Sequence, residues 1–203
     1  KGILSSIDIG FSIAPQINAL GRMSDPRRGI AFLIGSDSCL VKNVGTILFE
    51  LNEARKQAER SMLADIDSAI REHAIDPKTE NIIVAGHSSW PVGIVGLVAS
   101  RIVTMYGKPT LLFCCCDDGK ARGSGRSIPS FNLFEALSDN KGLFDHFGGH
   151  ALAAGMSLSI EKISILKERL EERIAQQLTP FDLQQKLHLD AELTLPELTR
   201  SFA

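Results

Sequence analysis

Residues 120–127 contain the densest group of side chains that could do chemistry. Lys120, Arg122 and Arg126 supply positive charge, and Ser124 supplies a hydroxyl group between two glycines. Glycine lets the backbone approach a ligand closely, and the planar fork of arginine matches the oxygens of a phosphate group. The segment therefore predicts a phosphate-binding site. A strand with solvated cations and a glycine-rich turn fits the same residues, so both interpretations stay open.

The run Gly148-Gly149-His150 is the second candidate. Its glycines could bring the backbone close to a ligand, with an imidazole beside it that can donate to a phosphate and changes charge near neutral pH. The same glycines could instead begin a helix, whose free amides would also bind an anion. Arg22, after Gly21, is a third candidate, either for a phosphate or for a surface salt bridge.

The elements that must position these residues alternate between strand and helix. Short apolar runs predict strands, and apolar residues spaced three and four apart predict helices. Strands are expected at residues 81–86, 110–115, 120–127 and 155–159, and helices at 93–106, 131–137 and 161–177. This order predicts an α/β fold, with a small mixed sheet flanked by helices.

The two ends of the chain have a different pattern. A long amphipathic helix is expected over residues 44–75, long enough to connect two bodies. Proline and glycine punctuate residues 14–34, which predicts loops with short helical pieces. After Pro180, apolar and polar residues alternate over residues 187–193, which predicts a half-exposed strand.

Composition excludes several classes of protein. The chain has 203 residues, of which 44% are hydrophobic and 23% charged, with a formal net charge of −2. Such a composition is globular rather than disordered, and no apolar run reaches the ~18 residues of a membrane span. Cys39 and the run 114–116 lack metal-ligand spacing, so we interpret them as apolar filler in a cytoplasmic protein. The remaining histidines, which also lack metal-ligand spacing and are expected near the surface, are His73, His87, His146 and His188.

Five segments occur in an order that resembles the RecJ family of single-stranded-DNA exonucleases, in the DHH phosphoesterase superfamily. The segments are residues 13–23, 51–56, 90–101, 123–129 and 147–155. Five motifs in one order are far more specific than any one of them. Gln16 stands where the family usually has arginine, and Pro91 where it usually has histidine. Neither position is therefore assigned a contact with substrate.

The resemblance implies a domain arrangement. Residues 1–43 would be the tail of a DHH domain, 44–75 the connecting helix, 76–180 the DHH-associated domain, and 181–203 the start of an oligonucleotide-binding barrel. The chain begins at Lys1 without a signal peptide, and its last residues form no closing element, so we expect an excised part of a longer protein. The family's metal-binding Asp and His residues would lie upstream of it.

The resemblance also implies a function, 5′-to-3′ hydrolysis of single-stranded DNA in DNA repair and recombination. Mn²⁺ or Mg²⁺ would be bound by residues outside this chain, so the chain alone is expected to be inactive. Its implied partners are single-stranded DNA, a helicase and a single-strand-binding protein, with no membrane. The implied site residues are His150 as the catalytic residue and, for substrate phosphates, Arg22, Arg122, Ser124, Arg126, Gly148 and Gly149.

Two other functions fit part of the pattern. A DHH-family phosphatase or short-oligonucleotide nuclease would share Gly148-Gly149-His150, but usually has a short linker and no following barrel. A non-catalytic nucleic-acid-binding domain would carry the phosphate contacts without chemistry. An Asp-His-His triplet upstream of Lys1 would support the nuclease, and its absence would contradict it.

Overall fold

A computed structural model describes residues 4–185, 189–197 and 199. The helices are α1 (Ser6–Asp8), α2 (Ala14–Met23), α3 (Arg27–Ile34), α4 (Ser38–Arg71), α5 (Val92–Tyr106), α6 (Leu133–Ser138) and α7 (Ile163–Gln177). The strands are β1 (Ile83–His87), β2 (Thr110–Cys115), β3 (Lys120–Arg126), β4 (Phe144–His150) and β5 (Ala153–Ser159). A π-helical segment at Ile9–Ile13 and 3₁₀ turns at Lys141–Leu143, Ile160–Lys162 and Leu195–Glu197 also occur.

The strands form one mixed sheet in the order β1-β2-β3-β5-β4. β1 and β2 are parallel and joined by α5, as a parallel pair requires a crossover. β2, β3, β5 and β4 pair antiparallel in that order, with a turn at residues 117–119 between β2 and β3. The α/β fold with a mixed sheet is therefore confirmed, whereas the edge strand β4 was not predicted.

The sheet separates two hydrophobic cores, because successive side chains of a strand point to opposite faces. On the first face, Leu112 packs with residues of α4 and α5, among them Met62 and Val98. On the second face, Leu111 and Phe113 pack with residues of α6 and α7. α5 and α7 follow the predicted apolar periodicity, since Val98 lies in the first core and Leu170 of α7 lies in the second.

The long helix α4 begins at Ser38, upstream of the predicted start at residue 44. Asp37 explains the difference, because its side chain accepts hydrogen bonds from the first free amides and caps the helix. At 1.5 Å per residue the helix is about 50 Å long. Its first half packs Leu48 against Leu20 of α2, and its second half joins the core under the sheet.

A buried polar cluster fixes α4 against α5. Glu59 is 3% exposed and forms ion pairs with Arg55, at 2.7 Å, and with Arg101 of α5, at 2.6 Å. The Arg55 Nε also donates to Asn52 Oδ1 at 3.1 Å. Trp90, next to α5, is buried as expected of a packing residue, and its Nε1 donates to Asp65 Oδ2 of α4 at 2.8 Å.

Two predictions about the ends of the chain were wrong. Residues 14–34 are mostly helical rather than loop-rich, because Pro15 lies in the first turn of α2, where no amide partner is lost. Within the predicted strand at 187–193, residues 187 and 188 lie outside the described residues, and 189–193 form no strand. A strand needs a paired backbone neighbour, and the described part of the chain places none beside these residues.

The cysteines are free thiols, and the two in β2 are partly buried. Burial raises the pKa of the Cys114 and Cys115 thiols above its ordinary value, which keeps them protonated and unreactive at neutral pH. In the part of the chain that the structure describes, no helix is long and apolar enough to cross a membrane.

Candidate functional site

One face of the sheet is covered over only part of its width. α4 and α5 pack on the β1–β2 side of this face, where Ile83 and Leu112 are buried. On the β5–β4 side, Gly155, Gly148 and His150 are exposed. Apart from chain neighbours, no described residue lies within 4 Å of the Cβ that either glycine would carry. A ligand can therefore reach the sheet here.

The register of β3, β5 and β4 aligns the candidate residues in three rows on this face. The rows are Arg126–Ala153–His150, Ser124–Gly155–Gly148 and Arg122–Ser157–His146, in order along β3. Directly paired residues lie on the same face of a sheet. Since neighbouring strands are about 4.8 Å apart, the β3 and β4 positions in a row are about 10 Å apart.

Arg126 is held in place by three hydrogen bonds. Its Nη1 donates to Ser124 Oγ at 2.7 Å and to the Gly125 carbonyl at 2.8 Å. Its Nε donates to Ser100 Oγ of α5 at 3.1 Å. Burial, and secondarily the charge of Arg22, lower the pKa of the Arg126 guanidinium from its ordinary value. An anion bound here would reduce the repulsion between the two cations.

Arg22 reaches this place from the last turn of α2, where its Nη1 donates to the Gly93 carbonyl at 3.3 Å. Among the described residues, no carboxylate forms an ion pair with Arg22, Arg122 or Arg126, whereas Lys120 is paired with Asp145 at 2.9 Å. The surface-salt-bridge interpretation of Arg22 is therefore wrong for the described part of the chain. Within the described residues, these three arginines therefore have no carboxylate partner that would compete with an external anion.

Small residues of α5 let the helix lie directly on Ser124 and Arg126. A Cβ on Gly96 would lie 2.9 Å from both Ser124 Oγ and Arg126 Nη2, so a larger residue would displace them. Gly96 and Ser100 are not among the site residues predicted from the sequence. The signal was present, because Gly93, Gly96 and Ser100 recur every three to four residues and so lie on one side of the helix.

The glycines on either side of Ser124 face core side chains rather than a ligand. A Cβ on Gly123 would lie 2.3 Å from Phe113 Cδ1, and a Cβ on Gly125 would lie 2.7 Å from Leu133 Cδ2. Both positions face the second core, because residues of a strand alternate between faces. The expectation that these glycines allow close approach to a ligand was wrong, although Ser124 and Arg126 do lie on the opposite face, partly buried against α5.

Gly148-Gly149-His150 ends strand β4 and does not begin a helix, so the helix interpretation was wrong. Gly149 has φ +154°, and a Cβ there would lie 2.3 Å from the Ala153 carbonyl oxygen. The exposed His150 accepts a hydrogen bond from the Leu152 amide at Nδ1, at 3.3 Å. With Nδ1 as acceptor, Nε2 carries the proton of the neutral ring and can donate to a ligand.

The contact between Arg22 and α5 leads to a prediction. A Cβ on Gly93 would lie 2.0 Å from the Arg22 carbonyl oxygen, so Gly93→Ala should push the end of α2 away at a cost of about 1–3 kcal/mol. Hydrogen exchange should accelerate in the last turn of α2 and stay unchanged in β2 and β3. Gly21→Ala is the matched control, because its Cβ meets no non-neighbouring described atom within 4 Å. Equal exchange in the two variants would refute the contact.

The described residues do not supply a metal site. Over residues 4–185, 189–197 and 199, no group of three or more His, Cys, Asp or Glu side chains could hold a metal ion. The open face instead carries arginine, serine and histidine, whose charge and donors suit the oxygens of an anion such as a phosphate group.

The fold and this site define a protein with a DHHA1 domain. The model of that domain family matches residues 79–176, which contain the whole sheet and helices α5 and α6 and most of α7. The matched region therefore includes the three rows and excludes only Arg22 among the candidate residues.

Similar proteins of known name identify the family more closely. The chain is 34% identical to the single-stranded-DNA-specific exonuclease RecJ of Bacillus subtilis over 86% of its length, and 31% identical to that of Escherichia coli over 98%. The crystal structure of RecJ in complex with Mn²⁺ from Thermus thermophilus matches 84% of the chain with a TM-score of 0.73 and 28% identity. A second structure of that protein, in complex with Mg²⁺, matches with a TM-score of 0.72. The chain belongs to the RecJ family.

The match concerns part of each relative. The chain spans 22% of the Bacillus subtilis protein, 36% of the Escherichia coli protein and 24% of the Thermus thermophilus chain with Mn²⁺. Most of each of those proteins therefore lies outside the region that this chain matches.

Proposed function

We propose that this chain binds and positions single-stranded DNA for 5′-to-3′ hydrolysis by a longer RecJ-family exonuclease in DNA repair and recombination. One observation carries the proposal: Arg22 and Arg126 both lie against the start of α5, at the Gly93 carbonyl and beside Gly96, without a carboxylate partner among the described residues. Two adjacent unpaired cations repel each other, and a dianionic phosphate removes that repulsion.

The terminal 5′ phosphate is the group that this corner of the site binds. Ser124 and Arg126 are already joined at 2.7 Å, so a hydroxyl and a guanidinium fork are held in one orientation before a ligand arrives. Preorganised donors lose little side-chain entropy on binding. A terminal phosphate carries more charge and more free oxygens than an internal one, which favours it at a site with two arginines.

His150 and its two glycines bind the next phosphate, the one to be cleaved. His150 lies in the Arg126 row, two strands away, and its Nε2 is the free donor of the ring. Arg122 lies two residues from Ser124 on the same face and contacts the DNA backbone. The metal ions would be bound outside this chain. The helicase and the single-strand-binding protein would be partners of the longer enzyme, which would act in the cytoplasm.

Removing Arg126 tests the proposal directly. We expect Arg126→Ala to weaken binding of a 5′-phosphorylated single-stranded oligonucleotide by about 1.5–3 kcal/mol, the value of a charged hydrogen bond. Binding of the same oligonucleotide with a 5′ hydroxyl should change much less. Fluorescence anisotropy with a 3′ label at fixed low salt measures both, since backbone binding depends on salt.

Arg71→Ala is the matched control for this experiment. Arg71 is exposed in the last turn of α4, so its loss removes the same charge away from the open face. A loss that is equal for the phosphorylated and hydroxyl oligonucleotides in Arg126→Ala would contradict the assignment. It would leave general attraction to the DNA backbone as the role of Arg126.

A further inference from the structure

We propose that Ser157 and His146, in the row that Arg122 begins, bind the nucleoside of the 5′-terminal nucleotide, which lies on a floor formed by Gly155 and Gly148. The inference rests on the proposed function, because it takes the terminal phosphate to lie at β3 and the next phosphate at β4. It assigns a role to His146, Ser157 and Gly155.

The geometry of the sheet requires the nucleoside to cross β5. The two proposed phosphate positions are on β3 and β4, about 10 Å apart, and β5 lies between them. The sugar that joins the two phosphates therefore lies above β5. On the open face, β5 presents Ala153, Gly155 and Ser157, and no described residue other than its chain neighbours lies within 4 Å of the Cβ that Gly155 would carry.

Local structure does not explain the glycines of this floor. Gly123, Gly125 and Gly149 each have a neighbour that a Cβ would strike. Gly148 and Gly155 have no such neighbour and no positive φ. Glycine weakens a strand, so a position that tolerates a side chain but holds glycine is explained by a ligand that needs the space.

The far side of the floor carries polar groups that make no hydrogen bond to another described residue. Arg122 and His146 are exposed and Ser157 is half-buried. Within the described residues, none of their side chains makes a hydrogen bond or an ion pair. By contrast, Lys120 of the next position along β3 is paired with Asp145.

The spacing of the rows matches a nucleoside. The Arg126 row and the Arg122 row are four residues apart along β3, or about 13 Å, with the glycine floor between them. A base and its sugar lying on this floor would meet the His146 imidazole and the Ser157 hydroxyl at its far edge, which leaves Arg122 for the DNA backbone. Planar cations and imidazoles stack on bases, and hydroxyls hydrogen-bond to sugars or base edges.

The experiment compares two 5′-phosphorylated oligonucleotides, one with a normal 5′-terminal nucleotide and one whose terminal residue lacks the base. The chain should bind the normal oligonucleotide about tenfold more tightly, the effect of one base contact. The double variant His146→Ala, Ser157→Ala should lose most of this difference. Gly155→Val should weaken binding of both oligonucleotides, with its melting temperature unchanged or raised because valine suits a strand.

Ser159→Val is the matched control, since Ser159 lies on the same face of β5 beyond the Arg122 row and pairs with Lys120. It should bind both oligonucleotides as the original chain does. If the original chain prefers a 5′ phosphate to a 5′ hydroxyl but binds the base-containing and base-free ends equally, the inference is overturned and the proposed function stands. If it shows no preference for a 5′ phosphate, the proposed function is wrong, and the inference that rests on it is overturned as well. Gly155→Val with unchanged binding would also overturn the inference.

Discussion

Glu59→Gln is expected to lower the free energy of unfolding by about 3–5 kcal/mol, the cost of removing one partner of a buried ion pair. Glu59 is 3% exposed, and it is the shared partner of Arg55 and Arg101. Glutamine keeps nearly the same shape, so the variant removes the charge and leaves the largely buried Arg55 guanidinium without an ion-pair partner. Urea unfolding followed by circular dichroism measures the change.

The control for this variant is on the same helix. Glu53 pairs with Lys56 at 2.8 Å, but both side chains are nearly half exposed, and an exposed pair contributes about 0–1 kcal/mol. Glu53→Gln should therefore leave the unfolding midpoint almost unchanged. Similar midpoints for Glu53→Gln and Glu59→Gln would mean that the cluster between α4 and α5 is not a source of stability.

Gly149→Ala is expected to be strongly destabilising, whereas Gly148→Ala is expected to be neutral or slightly stabilising. At Gly149 the alanine would combine φ +154° with a contact of 2.3 Å to the Ala153 carbonyl oxygen. Backbone strain costs about 1–3 kcal/mol, and a clash with fixed atoms costs a similar amount. At Gly148 the Cβ meets open space, and replacing glycine reduces the entropy of the unfolded chain.

Thermal unfolding of the two variants measures this difference, and amide spectra of β4 and β5 locate its cause. In Gly149→Ala the hairpin between β4 and β5 should open, which moves His150 out of its row. In Gly148→Ala the fold should persist while the floor of the proposed nucleoside site rises. Equal stability of the two variants would show that the end of β4 differs from the described geometry.

Local pattern predicted most of the sheet and the helices against it. Apolar runs predicted β2, and three–four periodicity predicted α5 and α7, because each depends on residues within one turn or one strand. The prediction of loops over residues 14–34 was wrong because proline and glycine were taken as breaks. Pro15 lies where a helix tolerates proline, and Gly29 lies inside α3 against Leu20.

By itself, the sequence determined which residues could bind phosphate and which family they indicate. The types of Ser124, Arg126 and His150, and their order in the chain, are properties of single segments, and they need no knowledge of pairing. Only the tertiary structure decided that these three side chains share one face. That placement depends on the register between β3, β5 and β4, which joins segments some 25 residues apart.

The glycines show the same division most clearly. In the sequence, Gly148 and Gly149 are adjacent, and Gly123 and Gly125 stand on either side of Ser124. The structure shows that Gly148 and Gly149 differ, since Gly149 faces a backbone carbonyl and Gly148 faces open space. It also shows that Gly123 and Gly125 both face the core. What a glycine does depends on the atoms that would surround its missing Cβ, and those atoms come from other strands and helices.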